Sequence, residues 1–477
     1  MSKKIVMIGA GSVVFCKLLM SDIMATPALA GSQFALVSRT WPKLERMEQF
    51  GQRMLEDNRI EGEVWATLDR GEAIKDADFV VVMIQVGGVD AFGIDYKIPL
   101  EYGVDQCVGD TMGPGGVFRA LRTIPVLVDI ARDMEELAKP GAIMLQYSNP
   151  MSTNCMAVGK VSDVAFVGLC HGIQTTLQEI ATWLQIPKEE ITYTCGGTNH
   201  LDWFLTLERD GQDLYPRLRQ VLERPEYYKA DKVRAELFRH FGYFMTETTG
   251  HTSEYVPWFR KNQEAMDLYC DQPGFGGETG AYFNWCNAVA GKYADRNPLD
   301  FESTTIEERS VEYCSYIMEA VATGVPFRFM GNVRNDGYVK NLPDGCCVEV
   351  PTFADDTGLH PTTVGYLPPQ CAALNQTQVN VHILTAEAAL TGETEHIVHA
   401  MAMDPLTGAV CTLKQIRDMA GEMLEAQREW LPQFEGKRIT PRPTITIPDG
   451  TEAVEAPPDP AQAILKRFIQ LATQETD

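Results

Sequence analysis

Two short motifs carry side chains that could hold a metal ion. Cys170 begins a Cys-His-Gly-Ile segment at 170–173, and His200 ends a Gly-Gly-Thr-Asn-His segment at 196–200. A thiolate and an imidazole together can bind a borderline divalent cation, and oxygens of a bound substrate can complete its coordination shell. The alternative is that these two residues, which are distant in sequence, only pack in the interior.

A glycine-containing turn near the start could bind the phosphates of a dinucleotide. Gly9, Gly11, Ser12 and Val13 directly follow an apolar run and open a helical pattern. Glycines permit a tight turn and a close approach of the backbone to a pyrophosphate, and the helix supplies free N–H groups. The third glycine of the usual fingerprint is replaced by Val14. The turn predicts a nucleotide site, and ordinary turn chemistry is the alternative.

The second predicted strand does not end in the acidic residue that usually accepts a hydrogen bond from the ribose 2′-hydroxyl. Ser38 and Arg39 stand there instead. Because a serine–arginine pair suits a 2′-phosphate, NADP⁺ is an alternative to NAD⁺. Arg39 could equally stack over the adenine or lie in solvent.

Apolar runs that alternate with helical patterns must position these motifs. The run 78–84 is almost wholly apolar, which is typical of a strand buried on both faces. Strands that alternate with helices predict an α/β fold with a doubly wound parallel sheet, which binds ligands at the carboxyl ends of its strands. The predicted strands lie at 4–9, 34–37, around Val64, and at 78–84, 142–147 and 164–169, and the predicted helices at 11–25, 42–57 and 117–138.

The pattern changes after about residue 195, where aromatic-rich segments and longer helical stretches begin. We therefore predict a dinucleotide-binding domain at 1–195 and an α+β domain for substrate, metal and oligomerisation at 196–438. The C-terminal segment 439–477 is expected to form an extended arm and a short amphipathic helix at 460–473. Further helices are predicted at 227–243, 305–322, 375–391 and 413–429.

The composition argues against several functions. Acidic residues outnumber basic ones by 65 to 41, for a formal net charge of −24 over 477 residues. Such a surface repels nucleic acids and anionic membranes, and the chain has no apolar run of about 18 residues that could span a membrane. The first residues lack a secretory leader pattern, and the 12 cysteines form no CxxC pair. We therefore expect a cytoplasmic protein with free thiols.

Several motifs, spread over residues 4 to about 433, resemble those of family 4 glycoside hydrolases. The segments 111–122 and 341–350 look most like the α-galactosidase branch, whereas Cys-His-Gly at 170–172 occurs in α-glucosidase and uronidase members. The resemblance therefore implies an unphosphorylated α-galactoside, α-glucoside or α-uronide as substrate. The shared motifs are Gly-Ala-Gly-Ser (9–12), Asn-Pro-Met (149–151), Gly-Leu-Cys-His-Gly (168–172), Thr-Asn-His (198–200), Glu-Tyr-Val-Pro-Trp-Phe (254–259) and Asn-Val-Arg-Asn-Asp-Gly (332–337).

The resemblance implies a Rossmann-like fold of the lactate/malate dehydrogenase type and a hydrolysis outside the usual two-carboxylate scheme. In this family NAD⁺ takes a hydride from C3 of the sugar, which acidifies the hydrogen on C2. A base removes that proton, Mn²⁺ or another divalent ion stabilises the enediolate, and the aglycone leaves from C1. Water then adds to C1, and the hydride returns to C3.

The same resemblance assigns roles to individual residues. Cys170 and His200 match the metal ligands of the family. Tyr255 matches the proposed C2 base of phosphoglucosidase members, and Glu247 is the alternative base, since an α-glucosidase member has an aspartate there. A tyrosine base needs its pKa lowered from about 10 toward the working pH, which a neighbouring cation could do.

Further residues are expected to contact the sugar. Asn149 matches a residue that binds hydroxyls near C2 and C3 and also borders the cofactor, and Asp110 matches an acidic residue near the sugar. His171 is a candidate acid or hydroxyl ligand. Arg260 follows the aromatic motif and could bind an anionic substituent such as a carboxylate.

Two other functions compete with the glycosidase. An NAD(P)-dependent dehydrogenase of a hydroxy acid or polyol would show net cofactor reduction and would not need the Cys170–His200 pair. A non-catalytic nucleotide-binding protein would bind cofactor without turnover. Family members assemble as dimers or tetramers, so we expect a homodimer or homotetramer whose small-molecule partner is a glycoside.

Overall fold

The computed structural model describes residues 2–11, 13–294, 296–454 and 459–473 of the chain. Contacts divide the chain into one unit that ends at Pro441 and a second that begins at Arg442. The first unit contains a 12-stranded sheet. Its strands are β1 (Lys4–Ile8), β2 (Gln33–Val37), β3 (Glu63–Thr67), β4 (Phe79–Val82), β5 (Ile143–Gln146), β6 (Ala165–Gly168), β7 (Thr192–Thr198), β8 (Leu201–Arg209), β9 (Gln212–Asp213), β10 (Phe327–Arg334), β11 (Cys347–Asp355) and β12 (Gly358–Pro361).

Helices connect these strands and cover the sheet on both faces. The helices are α1 (Val13–Met24), α2 (Trp41–Asn58), α3 (Arg70–Ile74), α4 (Gly88–Glu101), α5 (Gly113–Leu137), α6 (Met151–Val161), α7 (Gly172–Leu184), α8 (Tyr215–Leu222), α9 (Pro225–Ala230), α10 (Lys232–Phe241), α11 (Thr249–Tyr255), α12 (Gln263–Tyr269), α13 (Ala281–Tyr293), α14 (Cys314–Thr323), α15 (Pro369–Thr391), α16 (Thr394–Met403), α17 (Pro405–Val410), α18 (Leu413–Ala426) and, in the second unit, α19 (Pro460–Thr473).

One half of the sheet is parallel, with the strand order β3-β2-β1-β4-β5-β6. Successive side chains of β1 enter different cores: Ile5 and Met7 pack with α1 and α2, whereas Val6 and Ile8 pack with α3. Because helices cover both faces of the sheet, successive side chains of a strand are all buried, which explains the continuous apolar runs in the sequence. This arrangement confirms the predicted Rossmann-like α/β fold, and it creates a topological switch point between β1 and β4.

The other half of the sheet is antiparallel and continues from β6 in the order β10-β11-β7-β8-β9, with β12 paired to β11. The junction joins Asn332 of β10 to Gly168 of β6. The sheet is therefore continuous through both halves. The boundary predicted between residues 195 and 196 falls within β7, and the division into 1–195 and 196–438 stays a prediction.

Most of the predicted elements are present, but two helices differ. The helix expected at 227–243 is divided into α9 and α10 at Asp231, whose carboxylate accepts hydrogen bonds from Arg234 (2.5 Å) and Thr249 (2.6 Å). The helix expected at 305–322 starts only at Cys314, because the preceding segment packs on α1, where the Ser310 N–H donates to Asp22 at 2.9 Å. In both places tertiary contacts override a helical pattern.

The second unit is described up to Val454 and again from Asp459. Between Arg442 and Val454 it has neither helix nor strand, as expected for an extended arm, and α19 coincides with the predicted helix at 460–473. Within the described parts of the chain, no helix is long and apolar enough to cross a membrane.

Candidate active site

The predicted site residues gather at the edge formed by the carboxyl ends of the parallel strands. Gly9 follows β1, Asn149 follows β5 and Cys170 follows β6. His200 lies in the turn between β7 and β8. Cross-strand pairing places Gly197 of β7 in the same row as Gly168 at the end of β6, through Asn332 and Glu349. The turn that carries His200 therefore lies near the end of β6, where open α/β sheets bind ligands.

The turn after β1 has the shape that a dinucleotide requires. The N–H groups of Gly9 and Ala10 donate to the carbonyl of Val37, at 2.9 and 3.1 Å. Gly9 has a φ of 96°, and a Cβ at this position would lie 2.3 Å from the carbonyl oxygen of Met83. The turn therefore fits the close approach of a pyrophosphate to the backbone, immediately before α1 begins at Val13.

The residues expected around the ribose lie beside this turn. A Cβ on Gly11 would be 2.9 Å from Oγ of Ser38, so the two residues are neighbours. Arg39 is exposed. Ser12, which we predicted to bind the cofactor, lies outside the described residues.

We expect Gly9→Ala to weaken NAD⁺ binding and to lower the melting temperature. Alanine at a positive φ costs about 1–2 kcal/mol, and the overlap with the rigid backbone of Met83 adds to that cost. Gly11→Ala is the matched control for stability, because the one tight contact of its Cβ is with the movable Oγ of Ser38 and its other contacts, at 3.7 Å, are ordinary. Thermal melting checks the prediction, and equal melting temperatures for the two variants would contradict it.

A thiol, an imidazole and a carboxylate meet at the end of β6. Cys170 Sγ lies 3.7 Å from Oε1 of Glu247, and His200 Nε2 lies 4.0 Å from the same oxygen. Ligand atoms of all three residues lie within 4.8 Å of one another. Sulfur, nitrogen and oxygen donors so arranged fit a divalent cation of the borderline class. The structure thus brings together the predicted metal pair and one of the two predicted bases.

Burial and charge act differently on these three groups. Burial, together with the charge of Glu247, raises the pKa of the Cys170 thiol well above its ordinary value, so a bound cation is needed to favour the thiolate. Burial raises the pKa of the Glu247 carboxyl, but the charge of the neighbouring His200 imidazole acts against burial, and the pKa is lowered overall. Burial lowers the pKa of His251 to about 4, so this imidazole is neutral at pH 7.

The other ring nitrogen of His200 faces a second group of side chains. Nδ1 lies 3.2 Å from the hydroxyl of Tyr255 and 3.3 Å from Oγ1 of Thr111. These contacts fix the ring so that Nε2 points toward Cys170 and Glu247. Tyr255, at the end of α11, is fully buried, and burial raises the pKa of its phenol well above the ordinary value.

Asp110 and Asn149 form a polar pair next to this group. Asn149 Nδ2 donates to one carboxylate oxygen of Asp110 at 2.9 Å, and the Thr111 hydroxyl donates to the other at 2.8 Å. Although burial raises it, the pKa of Asp110 is lowered overall, chiefly by the charge of Arg119. Asp110 is therefore ionised. Its carboxylate can accept hydrogen bonds from sugar hydroxyls, and the amide of Asn149 can donate hydrogen bonds to them.

Comparison with known proteins decides the family. Residues 4–186 match the family model described as family 4 glycosyl hydrolase, and residues 195–407 match the model of its C-terminal domain. The chain belongs to family 4 of the glycoside hydrolases. This membership confirms the resemblance that the motifs carried, and it favours the glycosidase over the dehydrogenase among the functions first considered.

Two characterised relatives of this family 4 enzyme are α-galactosidases. The chain is 38% identical over 441 residues to one from Rhizobium meliloti (strain 1021), covering 91% of this chain and 90% of the relative. It is 37% identical over 440 residues to one from Bacillus subtilis (strain 168), covering 91% and 100%. An α-glucosidase from Erwinia rhapontici is 30% identical over 461 residues, covering 90% and 99%.

Solved structures share the fold of the family 4 enzyme. The putative glucosidase lplD from Bacillus subtilis superposes with a TM-score of 0.78 at 24% identity, covering 89% of this chain and all of that chain (100%). A 6-phospho-α-glucosidase from gut microorganisms, solved in complex with NAD and Mn²⁺, superposes with a TM-score of 0.74 at 19% identity, covering 91% and 99%. At these identities the likeness supports the fold.

His171 lies at the rim of the cluster. Its Nδ1 is 3.0 Å from Oε1 of Glu312, and 56% of its side chain is exposed. The hydrogen bond to Glu312 raises the pKa of the imidazole above its ordinary value. His171 therefore combines access from solvent with a stabilised positive charge, as an acid near a leaving group requires.

Arg260 is not placed to bind substrate. Its side chain is fully buried and forms an ion pair with Asp105, while Nη1 donates to the carbonyl of Gly277 at 2.8 Å and Nε to the carbonyl of Asp105 at 2.9 Å. The expectation that Arg260 binds an anionic substituent is corrected by this arrangement, because its donors are engaged within the protein. The sequence pattern around Arg260 could not reveal a partner as distant as Asp105.

Sequence reasoning missed Arg119 as a member of the site. Its guanidinium lies over the ring of Phe92 at 5.2 Å, and Nε donates to the carbonyl of Asn149 at 3.3 Å. Nη1 is buried and has no hydrogen-bond partner among the described residues. The sequence contained a signal for this role, because Arg119 lies near the start of α5 and follows Asp110 closely along the chain.

Glu254 was also missed, and it positions the segment that carries Asp110. Its carboxylate accepts hydrogen bonds from the backbone N–H groups of Cys107, Val108 and Gly109 at 2.8, 2.9 and 2.9 Å. Glu254 directly precedes Tyr255 on α11, so one short helix fixes both the phenol and the Asp110 segment.

We expect Glu254→Ala to destabilise the enzyme by at least about 3 kcal/mol and to lower kcat/KM. Three buried N–H groups lose their acceptor, and each such loss costs about 1–3 kcal/mol. Glu254→Gln keeps one acceptor oxygen and is expected to be intermediate. Thermal melting and steady-state kinetics check this, with Glu264→Ala on exposed α12 as control. An unchanged melting temperature for Glu254→Ala would count against it.

Proposed function

We propose that this family 4 enzyme hydrolyses unphosphorylated hexosides, with α-galactosides as the first choice, and that it uses NAD⁺ and a divalent metal ion. The observation that carries the proposal is the cluster of Cys170, His200 and Glu247 at the end of β6, in a sheet whose first strand ends in the dinucleotide turn. The α-galactosidases that are 38% and 37% identical over most of the chain support the substrate. The solved relatives with bound NAD and Mn²⁺ support the cofactors.

Cys170 and His200 would hold the metal ion, and the turn at Gly9 and Gly11 would hold the pyrophosphate of NAD⁺. When bound, the two groups supply a hydride acceptor for C3 of the sugar and positive charge near its 2- and 3-oxygens. Asn149 and the ionised Asp110 bind the neighbouring hydroxyls and so orient C2 and C3.

Proton removal from C2 is assigned to Tyr255, with Glu247 as the alternative base. The Tyr255 hydroxyl is held 3.2 Å from Nδ1 of His200, at the inner end of the site. Burial raises the pKa of this phenol well above its ordinary value, so Tyr255 acts as a base only when positive charge is nearby. The geometry supports Tyr255 because its hydroxyl lies next to His200, a proposed metal ligand, but is not itself a ligand of the metal.

Departure of the aglycone from C1 is assigned to His171 as the acid. Its imidazole is exposed at the rim, and its hydrogen bond to Glu312 raises its pKa, which keeps a proton available near neutral pH. A proton delivered to the glycosidic oxygen avoids the release of an alkoxide. Water then adds to C1 and, once C3 has been reduced back to the alcohol, the overall result is hydrolysis.

We also propose where the enzyme is located and how it assembles. A cytoplasmic location agrees with a metal-binding Cys170 and with the unpaired state of all cysteines that the structure describes. A homodimer or homotetramer, and separate nucleotide and substrate domains divided at residue 195, follow from the resemblance and the sequence pattern. Size-exclusion chromatography with light scattering tests the assembly.

The proposed function is tested by hydrolysis of nitrophenyl α-galactoside, α-glucoside and α-glucuronide in deuterated buffer. The reactions contain reductant, with and without Mn²⁺ and with either NAD⁺ or NADP⁺. We expect turnover that needs both metal and oxidised cofactor, is fastest for the α-galactoside, and places deuterium at C2 of the released sugar. Turnover without cofactor would overturn the oxidative route, and net reduction of NAD⁺ by a polyol would restore the dehydrogenase.

A further inference from the structure

The carboxylate of Glu247 faces the same point as the thiol of Cys170 and the imidazole of His200. Its Oε1 lies 3.7 Å from Cys170 Sγ and 4.0 Å from His200 Nε2. Donor atoms that share one cation, with bonds of about 2.0–2.3 Å, stand roughly 3–4 Å apart. Both contacts of Glu247 fall in this range, and ligand atoms of all three residues lie within 4.8 Å of one another, so small side-chain adjustments would bring them around a common ion.

The charges of the three groups also suit a divalent ion. A thiolate and a carboxylate bring two negative charges, and the imidazole binds metals in its neutral form. The second carboxylate oxygen of Glu247, Oε2, lies 3.9 Å from Nδ1 of His251. Oε1 is thus the oxygen of Glu247 that faces the other two donors and is available to the ion.

Gly172 provides the space that the Glu247 carboxylate occupies. A Cβ at residue 172 would lie 1.5 Å from Oε1 and 2.7 Å from the carboxyl carbon of Glu247. The N–H of Gly172 also donates to Cys170 Sγ at 3.4 Å. Any side chain at this first position of α7 would displace the carboxylate from the donor cluster.

The backbone at two of these residues has a conformation that side chains disfavour. His200 has a φ of 68° and Glu247 a φ of 72°, both in the left-handed region. Such conformations persist where surrounding contacts hold them, and they concentrate at functional sites. Here they turn two side chains from separate loops toward one point.

We propose that Glu247 is a third protein ligand of the divalent ion and that Gly172 is a positioning residue whose missing side chain admits its carboxylate. The inference rests on the proposed function, in which Cys170 and His200 bind the ion. It assigns Glu247 to the metal and leaves proton removal to Tyr255. With three protein ligands, the ion is retained before any sugar binds.

The test measures Mn²⁺ affinity directly, without reference to activity. Full-length enzyme loaded with NAD⁺ is titrated with Mn²⁺ in a phosphine reductant, and free Mn²⁺ is read from its electron paramagnetic resonance signal. We expect Glu247→Gln to raise the Kd for Mn²⁺ at least about tenfold. Glu264→Gln, on the exposed face of α12, is the matched control and is expected to leave the Kd unchanged. NAD⁺ affinity and melting temperature confirm that each variant is folded.

A double-mutant cycle tests the role of Gly172. We expect Gly172→Ala to raise the Kd for Mn²⁺ in the native enzyme but to have no further effect in a Glu247→Ala background, because the alanine acts only through the carboxylate. Equal effects of Gly172→Ala in both backgrounds would overturn the positioning role.

Comparison with Cys170→Ser separates the two proposals. If Glu247→Gln binds Mn²⁺ within twofold of the native enzyme while Cys170→Ser does not bind it, the third-ligand assignment is overturned and the proposed function stands. Unchanged Mn²⁺ affinity in both variants would instead overturn the metal site of the proposed function itself.

Discussion

Cys170→Ser is expected to reduce hydrolysis at least about a thousandfold. Stabilisation of charge by a bound metal ion is worth several kcal/mol, and each 1.36 kcal/mol changes a rate tenfold. Serine has nearly the size of cysteine, so the turn after β6 is preserved, but a hydroxyl is neither ionised at neutral pH nor a soft ligand. Turnover at saturating Mn²⁺ and the metal content of the purified protein measure the effect.

The control for this substitution is Cys411→Ser. Cys411 is also partly buried, and its Sγ donates to the carbonyl of Tyr102 at 3.5 Å, a contact that a serine hydroxyl can replace. We expect this variant to keep the activity and metal content of the native enzyme. Full activity of Cys170→Ser with bound Mn²⁺ would show that the thiol is not a ligand.

Tyr255→Phe is expected to lower kcat by about 10²–10⁴, the range for loss of a general base. The substitution removes only the hydroxyl, and the buried ring continues to fill its place at the end of α11. Binding of NAD⁺ and Mn²⁺ should persist, and the release of a sugar deuterated at C2 should be lost in parallel with kcat. Steady-state kinetics and mass spectrometry of the released sugar provide both measurements.

Thr111→Val distinguishes a base from a residue that only orients His200. Thr111 and Tyr255 contact the same nitrogen of His200, at 3.3 and 3.2 Å. If orientation were the whole role of Tyr255, the two substitutions would have similar effects. We expect Thr111→Val to lower kcat less than Tyr255→Phe does. A kcat for Tyr255→Phe within threefold of that of the native enzyme would exclude Tyr255 as the base.

Much of the fold could be predicted because its signals are local. The apolar run that becomes β4 is buried along its whole length, and β4 lies beside β1 at the centre of the parallel half. The glycines after β1 are required by the backbone, as the φ of 96° at Gly9 shows. Such features depend on residues adjacent in sequence, so a single chain reveals them.

Where distant residues compete with the local pattern, the sequence was misleading. The segment before Cys314 has a helical pattern but hydrogen-bonds to Asp22 of α1 instead. Arg260, beside a lysine, suggested an accessible cationic site, yet it is buried against Asp105. No property of a short window reports which distant carboxylate a guanidinium meets.

The sequence by itself determined the parallel sheet and the dinucleotide turn, because local patterns suffice for these, and the resemblance to family 4 motifs made Cys170 and His200 the candidate metal ligands. Only the tertiary structure showed that Glu247 contacts both Cys170 and His200. The loop before α11 carries Glu247 to this point, and its carboxylate fits there because residue 172 is glycine. The physical reason is that a site at a sheet edge is assembled from separate loops. Its geometry therefore depends on how distant strands pair and helices pack, which no local pattern encodes.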